Sequence, residues 1–356
     1  MENKKIGAIR KILNQNEAAI ITSNINRRYL TGFKSSAGNV IITKSSAFLI
    51  IDFRYFENAK NNVTDFTVIL AENTFSQIEE ILKKDGITKI HIESENITVS
   101  ALKALKNRLD GLDICDDDTL SATLNKLRSI KTIDEIEKIK AAQAITDKAF
   151  DHILNFIEIG RSEKEIALEL EFFMRKNQSD GVAFETIAVS GKNSSLPHGV
   201  PTDKLISHGD FITMDFGAAF DGYCSDMTRT VAIGSICDQQ KLVYDTVLKA
   251  QIAVLQAISN GQKCCDMDKI ARDIIKNAGF EGCFGHGLGH SLGLEIHENP
   301  ACNTRDTTIL TPGMIMTVEP GIYLENQFGV RIEDMVLITE KGAENLTRSP
   351  KELIIL

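Results

Sequence analysis

The residues best suited to chemistry in this sequence are histidines in a glycine-rich stretch that runs from Gly285 to Glu298. It holds three of the chain's seven histidines, His286, His290 and His297. Each glycine costs a helix about 1 kcal/mol relative to alanine, so the stretch is predicted to be an extended loop or strand. Even spacing then places His286 and His290 on one side. Such a cluster indicates a metal or catalytic site, and the alternative is a glycine-rich turn with incidental histidines.

Two aspartates upstream of this stretch are predicted to face each other across a hairpin. Asp221-Gly222 is a strong two-residue turn signal. With the turn there, Gly217 lies opposite Asp226, and Asp215 is its diagonal neighbour, at roughly 7–8 Å between backbones. The two carboxylates can then converge on ions, and we expect Gly217 to leave space for them. A pair of solvated strand carboxylates is the alternative interpretation.

A second pair of acidic residues, Glu319 and Glu333, flanks a possible turn at residues 325–327. An odd-numbered loop there places Glu319 directly opposite Glu333, whereas a two-residue loop places them on opposite faces. Arg331 shares the face of Glu333 and is interpreted either as a partner of the carboxylates or as a holder of an anionic group.

Together these residues form a hard, oxygen-rich ligand set of four carboxylates and one imidazole: Asp215, Asp226, His290, Glu319 and Glu333. Such a set suits Mn²⁺, Co²⁺, Fe²⁺ or Zn²⁺ better than copper or an iron–sulfur cluster. Five ligands, some able to bridge, suit two ions, an arrangement used to hydrolyse bonds at a carbonyl.

From about residue 126 to 356 the chain resembles the pita-bread metallopeptidases, which include aminopeptidase P, prolidase and methionine aminopeptidase. The segments that carry the resemblance occur in the same order along the chain: Leu196-Pro197-His198, Met214–Gly217, Asp226–Thr230, His286–His297, Val318–Gly321 and Gly329–Asp334. Tyr29–Phe33 and Asp52–Tyr55 resemble the creatinase-type N-terminal domain. The resemblance therefore implies an α/β creatinase-like domain over residues 1–125 and an α+β pita-bread catalytic domain over residues 126–356.

The resemblance also implies metal-binding roles. Asp215 and Asp226 would bind one ion, and His290 and Glu319 would complete the other. Asp226 and Glu333 would bridge the two, and Mn²⁺ is the expected metal, with Co²⁺, Zn²⁺ or Fe²⁺ as alternatives.

Catalytic roles follow from the same resemblance. His198 and His297 would hydrogen-bond the scissile carbonyl and the oxyanion that develops from it. His286 would be a further histidine on the substrate side or behind the ligands. Glu319 is the candidate for handling the proton, and Arg331 would support ligands and substrate.

The implied activity is hydrolysis of Xaa-Pro bonds, because creatinase lacks the metal ligands and methionine aminopeptidases of the usual kind lack the N-terminal domain. Of the two remaining activities, we expect aminopeptidase P-like removal of the residue before proline, with Xaa-Pro dipeptidase (prolidase) as the alternative. A non-catalytic peptide-binding module on the same fold is a further alternative. The family usually forms dimers, so we expect a homodimer that binds peptides with proline at the second position.

The composition of the 356 residues is ordinary for a globular protein, with 43% hydrophobic and 25% charged residues. A formal net charge of -9 argues against nucleic-acid partners. Neither a signal peptide nor an apolar run long enough to cross a membrane is evident. The seven scattered cysteines form no CxxC pair, so we expect a reducing, cytoplasmic setting.

The elements that must position these residues are predicted from their periodicity. In the first 125 residues, strands at 18–21, 39–42, 47–51, 67–70 and 90–92 alternate with helices at 3–14, 54–61, 74–84 and 98–109, which indicates an α/β layer fold. His91, flanked by isoleucines on its strand, is interpreted as structural. In the residues that follow, the order of two helices followed by strands is predicted twice. This repeat suggests two similar halves that share a cleft.

Overall fold

A computed structural model describes residues 3–356 of the protein. The chain divides into two compact units, one ending at Arg128 and the other running from Ser129 to Leu356. Within residues 3–356 no helix combines the length and the apolar character that crossing a membrane requires.

The N-terminal unit is built on a mixed six-stranded sheet. Its strands are β1 (Glu17–Ile21), β2 (Asn39–Thr43), β3 (Ala47–Ile51), β4 (Thr67–Leu70), β5 (Lys89–Ile92) and β6 (Asp113–Cys115). They lie in the order β4-β3-β2-β1-β5-β6, so β4 and β6 are the edge strands. The five predicted strands are all present, and β6 is an additional short one.

The helices of this unit are α1 (Lys4–Ile12), α2 (Asn24–Thr31), α3 (Phe53–Asn62), α4 (Thr74–Lys84), α5 (Val99–Arg108) and α6 (Thr119–Ser129). The sequence analysis did not predict α2 or α6. Local signals for α2 were present: Ser23 caps its first turn, and Gly32 ends it with a φ of 68°. Because α2 has only 8 residues, its apolar periodicity is too short to stand out.

The C-terminal unit contains two pairs of helices, each followed by strands. The first pair is α7 (Ile133–Ile153) and α8 (Glu163–Lys176), and the second is α9 (Asp238–Ala257) and α10 (Cys264–Asn277). Capping boxes at Thr132 and Ser162 begin α7 and α8, as their sequences predict. A separate hydrophobic cluster packs against each pair, so each half has its own core.

The strands after the first helix pair are β7 (Gly181–Val182), β8 (Ile187–Ser190), β9 (Phe211–Phe216), β10 (Ala218–Phe220), β11 (Tyr223–Cys224) and β12 (Met227–Ala232). Those after the second are β13 (Gly289–Ser291), β14 (Glu298–Cys302), β15 (Ile315–Val318), β16 (Gly321–Leu324), β17 (Phe328–Arg331), β18 (Asp334–Thr339) and β19 (Gly342–Asn345). Two three-stranded sheets, β11-β10-β7 and β12-β9-β8, belong to the first half, and a five-stranded sheet, β14-β13-β15-β18-β19, belongs to the second.

The hairpin turn predicted at Asp221-Gly222 is present. Both residues have positive φ angles, 44° and 77°, as a two-residue type I′ turn requires. Phe220 pairs with Tyr223, and farther along the same register Phe216 pairs with Met227. The register that the turn chemistry predicts therefore holds into the β9–β12 pair.

The second hairpin has a three-residue loop, which is the odd-numbered case. Gly321 pairs with Arg331 in the β16–β17 ribbon, and Val318 pairs with Asp334 where β15 meets β18. Both pairs belong to one register, so the residues that lie between them on the two sides of the hairpin also oppose each other. Asn326, in the loop, has a positive φ of 56°.

Candidate metal centre

The first hairpin places Asp215 and Asp226 at the wall of a cavity of about 830 Å³ in the C-terminal unit. Asp215 lies on β9 opposite Thr228, and Asp226 immediately precedes β12. The two aspartates are therefore diagonal neighbours on one face, as the hairpin register predicts. Asp226 is buried, with only 4% of its surface exposed.

Gly217 does not serve the purpose expected of it. A Cβ at this position would lie 1.9 Å from the backbone oxygen of Ser225 and 3.1 Å from the ring of Phe184. The space that a side chain would need is occupied by protein, so it holds no ion. Glycine is required here because the two hairpin strands approach each other closely, and the expectation of an ion beside Gly217 was wrong.

The second hairpin brings Glu319 and Glu333 to the same cavity. Glu319 follows Val318, and Glu333 precedes Asp334. Because Val318 and Asp334 are paired, the two glutamates oppose each other in register. Glu333 is 1% exposed, and its Oε2 accepts a 2.7 Å hydrogen bond from the hydroxyl of Thr228. The carboxylates of both hairpins thus line one cavity.

His290 joins the carboxylates from β13. Its Nε2 lies 3.4 Å from Glu319 Oε1 and 3.6 Å from Asp226 Oδ2. The other ring nitrogen, Nδ1, lies 3.1 Å from the carbonyl oxygen of Ser291, which can only accept a hydrogen bond. The proton is therefore assigned to Nδ1, and Nε2 presents its lone pair to the carboxylates, as a metal ligand must.

Between Gly285 and His297 the glycine-rich stretch forms a strand only over β13. Gly289 lets this strand approach β15 closely, because a Cβ there would lie 2.1 Å from the carbonyl oxygen of Thr317. Thr317 then accepts a hydrogen bond from the backbone N–H of His290 and donates one to Glu319, at 3.0 and 3.2 Å. The approach fixes the imidazole against the carboxylates.

The donor atoms fit a divalent cation. One ligand atom each from Asp226, His290 and Glu333 lies within 4.8 Å of the other two. Two buried carboxylate oxygens, Asp215 Oδ1 and Glu333 Oε1, have no hydrogen-bond partner among the described residues. Buried carboxylate oxygens are normally hydrogen-bonded or bound to a cation, so the orphaned pair indicates cation binding.

The predicted ligands do not all fall within that group of three. Glu319 is outside the group, but its Oε1 lies 3.4 Å from Nε2 of His290, which is a member. Asp215 is held by a hydrogen bond of 2.6 Å from Arg331 Nη2 to its Oδ2. Both nevertheless line the same cavity as the other three, so the five predicted ligands share one site.

The electrostatics of the protein without metal show how costly this arrangement is. Burial, together with repulsion from Glu333, Asp215 and Glu319, raises the pKa of Asp226 well above its usual range. The same two causes raise the pKa of Glu333, and burial raises that of Glu319 to about 8. Burial also lowers the pKa of His290 to about 4, so the imidazole is neutral at pH 7. Positive charge in the cavity would offset the carboxylate repulsion.

Arg331 is buried and spans the site. Its Nη2 donates to Asp215, its Nε donates to Thr228 Oγ1 at 3.0 Å, and its Nη1 donates to the Pro197 carbonyl at 3.2 Å. Thr228 in turn donates to Glu333. The guanidinium therefore connects both carboxylate hairpins, and of the two interpretations of Arg331 the structure supports the partner of the carboxylates.

Tyr323 is a residue of the site that the sequence analysis missed. Its hydroxyl accepts a 2.8 Å hydrogen bond from Arg331 Nη1 and lies 2.9 Å from His286 Nε2. His286 Nδ1 faces the Gly287 carbonyl at 2.8 Å, so Nε2 is the acceptor and Tyr323 the donor. Burial raises the pKa of Tyr323 to about 12, which keeps the hydroxyl proton in place. Nothing in the local sequence distinguishes this tyrosine from a packing residue on β16.

The remaining predicted residues line the same cavity. His198 and His297 are exposed there, and the ring of His297 lies 4.4 Å from that of His290 in a T-shaped arrangement. His286 is held behind them by Tyr323, and burial and the charge of Arg331 lower its pKa to about 4. Apolar side chains complete the lining, among them Phe184, Ile187 and Ile296.

Comparison with known proteins gives two family matches. The family described as Metallopeptidase family M24 matches residues 137–340, and the Creatinase/Prolidase N-terminal domain matches residues 5–130. These matches, together with the solved structures of similar proteins, confirm the fold class that the resemblance implied.

Similar proteins match over nearly the whole chain. A structure described as an Xaa-Pro dipeptidase from Bacillus anthracis is 42% identical, with a TM-score of 0.95 and 99% of each chain covered. An Xaa-Pro dipeptidase of Pyrococcus furiosus is 38% identical over 97% of both sequences. The structure of an X-Pro aminopeptidase from Thermotoga maritima is 36% identical, with a TM-score of 0.91, covering 98% of this chain and 100% of that one.

Proposed function

Because this chain belongs to metallopeptidase family M24, we propose that it is an Xaa-Pro dipeptidase that hydrolyses the bond preceding proline in dipeptides. The main expectation from the sequence was aminopeptidase P-like activity. The relatives named dipeptidases support the alternative better, since they include the structure with a TM-score of 0.95. The carrying observation in the site is the pair of orphaned, buried carboxylate oxygens on Asp215 and Glu333.

We propose that two divalent ions bind at the five residues predicted from the sequence: Asp215, Asp226, His290, Glu319 and Glu333. The support is their shared cavity, the free lone pair of His290 Nε2 and the like-charge repulsion that cations would relieve. When bound, two such ions activate water at neutral pH and polarise the substrate carbonyl. Mn²⁺ is the proposed metal, since carboxylate-rich sets suit hard cations.

The chain's own residues would position the peptide and move protons. His198 and His297 are exposed in the cavity and can donate hydrogen bonds to the substrate carbonyl oxygen. Glu319 would handle the proton of the reaction, and in the metal-free protein burial raises the pKa of its carboxyl to about 8. Tyr323 and Arg331 fix His286 and Asp215 from behind.

Aminopeptidase P-like activity is the second candidate, favoured by the similarity to the X-Pro aminopeptidase from Thermotoga maritima. The two activities differ in whether the substrate continues beyond proline. A dipeptidase accepts only a free carboxylate there, whereas an aminopeptidase accepts further residues.

A paired hydrolysis assay tests the proposal. The protein is stripped with a chelator, reloaded separately with Mn²⁺, Co²⁺ or Zn²⁺, and offered Ala-Pro and Ala-Pro-Ala. We expect metal-dependent cleavage of Ala-Pro and little cleavage of Ala-Pro-Ala. Preferential release of alanine from the tripeptide would establish the aminopeptidase instead, and cleavage of neither under every metal would point to a non-catalytic binding module.

Substitution of the bridging residues tests the ligand assignment. Asp226→Ala and Glu333→Ala are each expected to lose bound metal and to abolish hydrolysis, because each residue would be a ligand of both ions. Glu325→Gln, in the exposed hairpin loop, is the matched control and is expected to retain both. Hydrolysis by either alanine variant at nearly the wild-type rate would refute the two-metal assignment.

We further propose a homodimer in the cytoplasm. The support is the family's usual assembly and seven free cysteines, which are typical of a reducing compartment. Light scattering coupled to size-exclusion chromatography tests the assembly, and a monomeric mass would contradict it.

A further inference from the structure

A second group of potential metal ligands lies in the N-terminal unit. His91 on β5 is paired directly with Cys115 on β6, and because the strands are parallel their side chains lie on the same face. Asp117 follows two residues after Cys115. One ligand atom from each of these three residues lies within 4.8 Å of the other two.

The imidazole of His91 is polarised for ligation. His91 is only 6% exposed, and its Nε2 lies 3.2 Å from Glu17 Oε2 on the neighbouring strand β1. Hydrogen bonds from Asn14 lower the pKa of Glu17 to about 2, so this carboxylate is ionised and accepts a hydrogen bond from Nε2–H. Nδ1 is therefore the nitrogen with the lone pair. A carboxylate that accepts the far N–H is the usual support of a metal-binding histidine.

The interpretation of His91 as structural accounts for only one of its two ring nitrogens. Its Nδ1 is buried and has no hydrogen-bond partner among residues 3–356. A buried polar atom without a partner costs stability, so a purely structural histidine would be expected to satisfy both nitrogens. His91 belongs to the group that contains the thiol and the second carboxylate, and Nδ1 is its ring nitrogen without a partner.

Cys115 and Asp117 are already in contact at the place where a cation could bind. The Cys115 thiol is hydrogen-bonded to Asp117, and burial together with that bond raises the thiol pKa. Asp117 Oδ1 also accepts a 3.0 Å hydrogen bond from the Thr119 N–H, which fixes it at the start of α6. A divalent cation would displace the thiol proton to solvent and bind the resulting thiolate.

We propose that His91 Nδ1, Cys115 Sγ and an oxygen of Asp117 form a Zn²⁺ site, with its fourth position open to solvent. Zn²⁺ accepts nitrogen, sulfur and oxygen donors in a tetrahedral arrangement at about 2.0–2.3 Å. The donor atoms lie within 4.8 Å of one another and must approach to about 3.3–3.7 Å to bind one ion. His91 is fixed by burial, whereas Asp117 is exposed and Cys115 half-buried, so the latter two can move.

The position of the group indicates a stabilising role. β6 has three residues and lies at the edge of the sheet, so few contacts hold it. An ion bound by β5, β6 and the segment that begins α6 would tie all three together. The site differs from the catalytic ligand set in its sulfur donor, and this difference makes it separately observable.

The test uses the full-length protein loaded with Co²⁺, which reports thiolate ligation through a charge-transfer band in the near ultraviolet. None of the five proposed catalytic ligands is a cysteine. We expect wild-type protein to show the band, and Cys115→Ser to lose both the band and one equivalent of Co²⁺ per chain. Cys237→Ser, which alters an exposed free cysteine, is the matched control and keeps both.

A second variant keeps the thiol and changes the carboxylate. Asp117→Asn is expected to weaken Zn²⁺ binding by at least 10-fold, measured by competition with a chromophoric chelator. No band in wild-type protein at saturating Co²⁺, or an unchanged band in Cys115→Ser, would overturn the proposal. Peptidase activity is expected to be unchanged in both variants, so the outcome is independent of the proposed dipeptidase activity.

Discussion

Arg331 and Asp215 are 116 residues apart in sequence and lie on different strands, and a 2.6 Å hydrogen bond joins them. Asp215 lies on β9 in the first half of the C-terminal unit, and Arg331 ends β17 in the second. The bond orients Asp215 and leaves its other carboxylate oxygen, Oδ1, orphaned in the site. The proposed ligand set is therefore held together by a guanidinium as well as by the two hairpins.

Replacing this guanidinium with an ammonium is expected to weaken metal binding. In Arg331→Lys a single ammonium group cannot reach Asp215, Thr228 and Tyr323 at once, because lysine lacks the planar fork. We expect metal affinity and kcat each to fall by about 10–100-fold, measured by metal titration and steady-state kinetics. Arg305→Lys, at an exposed position, is the control. Equal metal affinity in the two variants would contradict the supporting role of Arg331.

Tyr323→Phe tests the hydroxyl that links His286 to Arg331. The variant leaves His286 Nε2 without its donor and removes one acceptor of Arg331 while keeping the ring in place. We expect kcat to fall by about 10–100-fold with the metal content unchanged, since the hydroxyl touches no proposed ligand except through Arg331. Tyr55→Phe, which removes a hydroxyl bonded to Ser36 in the other unit, is the control. Wild-type kcat in Tyr323→Phe would show that the hydroxyl is dispensable.

Two glycines in the histidine stretch are expected to differ sharply when replaced with alanine. At Gly289 a Cβ would lie 2.1 Å from the Thr317 carbonyl oxygen, so β13 must move away from β15 and carry His290 with it. At Gly285 a Cβ meets nothing within 4 Å, which makes it the matched control. We expect Gly289→Ala to lose about 1–3 kcal/mol of unfolding free energy and most of its bound metal. The prediction is wrong if chemical denaturation gives both variants the same stability.

The stability of the metal-free protein is expected to fall as the pH rises from about 6.5 to about 8. Burial raises the pKa of Glu319 to about 8 in the folded protein, whereas an unfolded glutamate ionises near 4.5. Between these values the folded state binds more protons, so the free energy of unfolding decreases with increasing pH. His286 and His290 act oppositely at lower pH, because their pKa values are lowered from 6.5 to about 4.

Thermal unfolding in chelator at the two ends of this range measures the effect. Glu319→Gln is expected to show a shallower decrease, because the variant has no carboxyl to ionise at this position. Saturating Mn²⁺ should remove the decrease as well, since the ions compensate the ionised carboxylates. A metal-free protein that becomes more stable over the same range would contradict the raised pKa.

The N-terminal unit shows which features were readable from local sequence. Its five longer or more apolar strands were predicted, because a run of β-branched and apolar residues bounded by polar ones indicates a strand. Strand β6 and helix α2 were not, since short elements carry too few periodic positions to be distinguished from loops. Helix α6 was also missed, although with 11 residues it is as long as the predicted α4.

The pairing of the carboxylates was predictable because hairpin register is a local property. The Asp221-Gly222 turn alone fixes Asp215 and Asp226 as diagonal neighbours, and a loop of odd length alone places Glu319 opposite Glu333. The order of motifs along the chain likewise indicated the family without any coordinates. The sequence by itself thus determined the types of the proposed ligands and the pairing of the carboxylates within each hairpin.

Tertiary structure alone decided how the two pairs meet and what surrounds them. The reach of Arg331 to Asp215 and the hydroxyl of Tyr323 behind His286 both depend on chain segments remote in sequence. So does the purpose of Gly217, whose neighbours are Ser225 and Phe184 rather than an ion. The raised carboxyl pKa values also appear only on folding, because burial and mutual repulsion are properties of the assembled site and no spacing of residues encodes them.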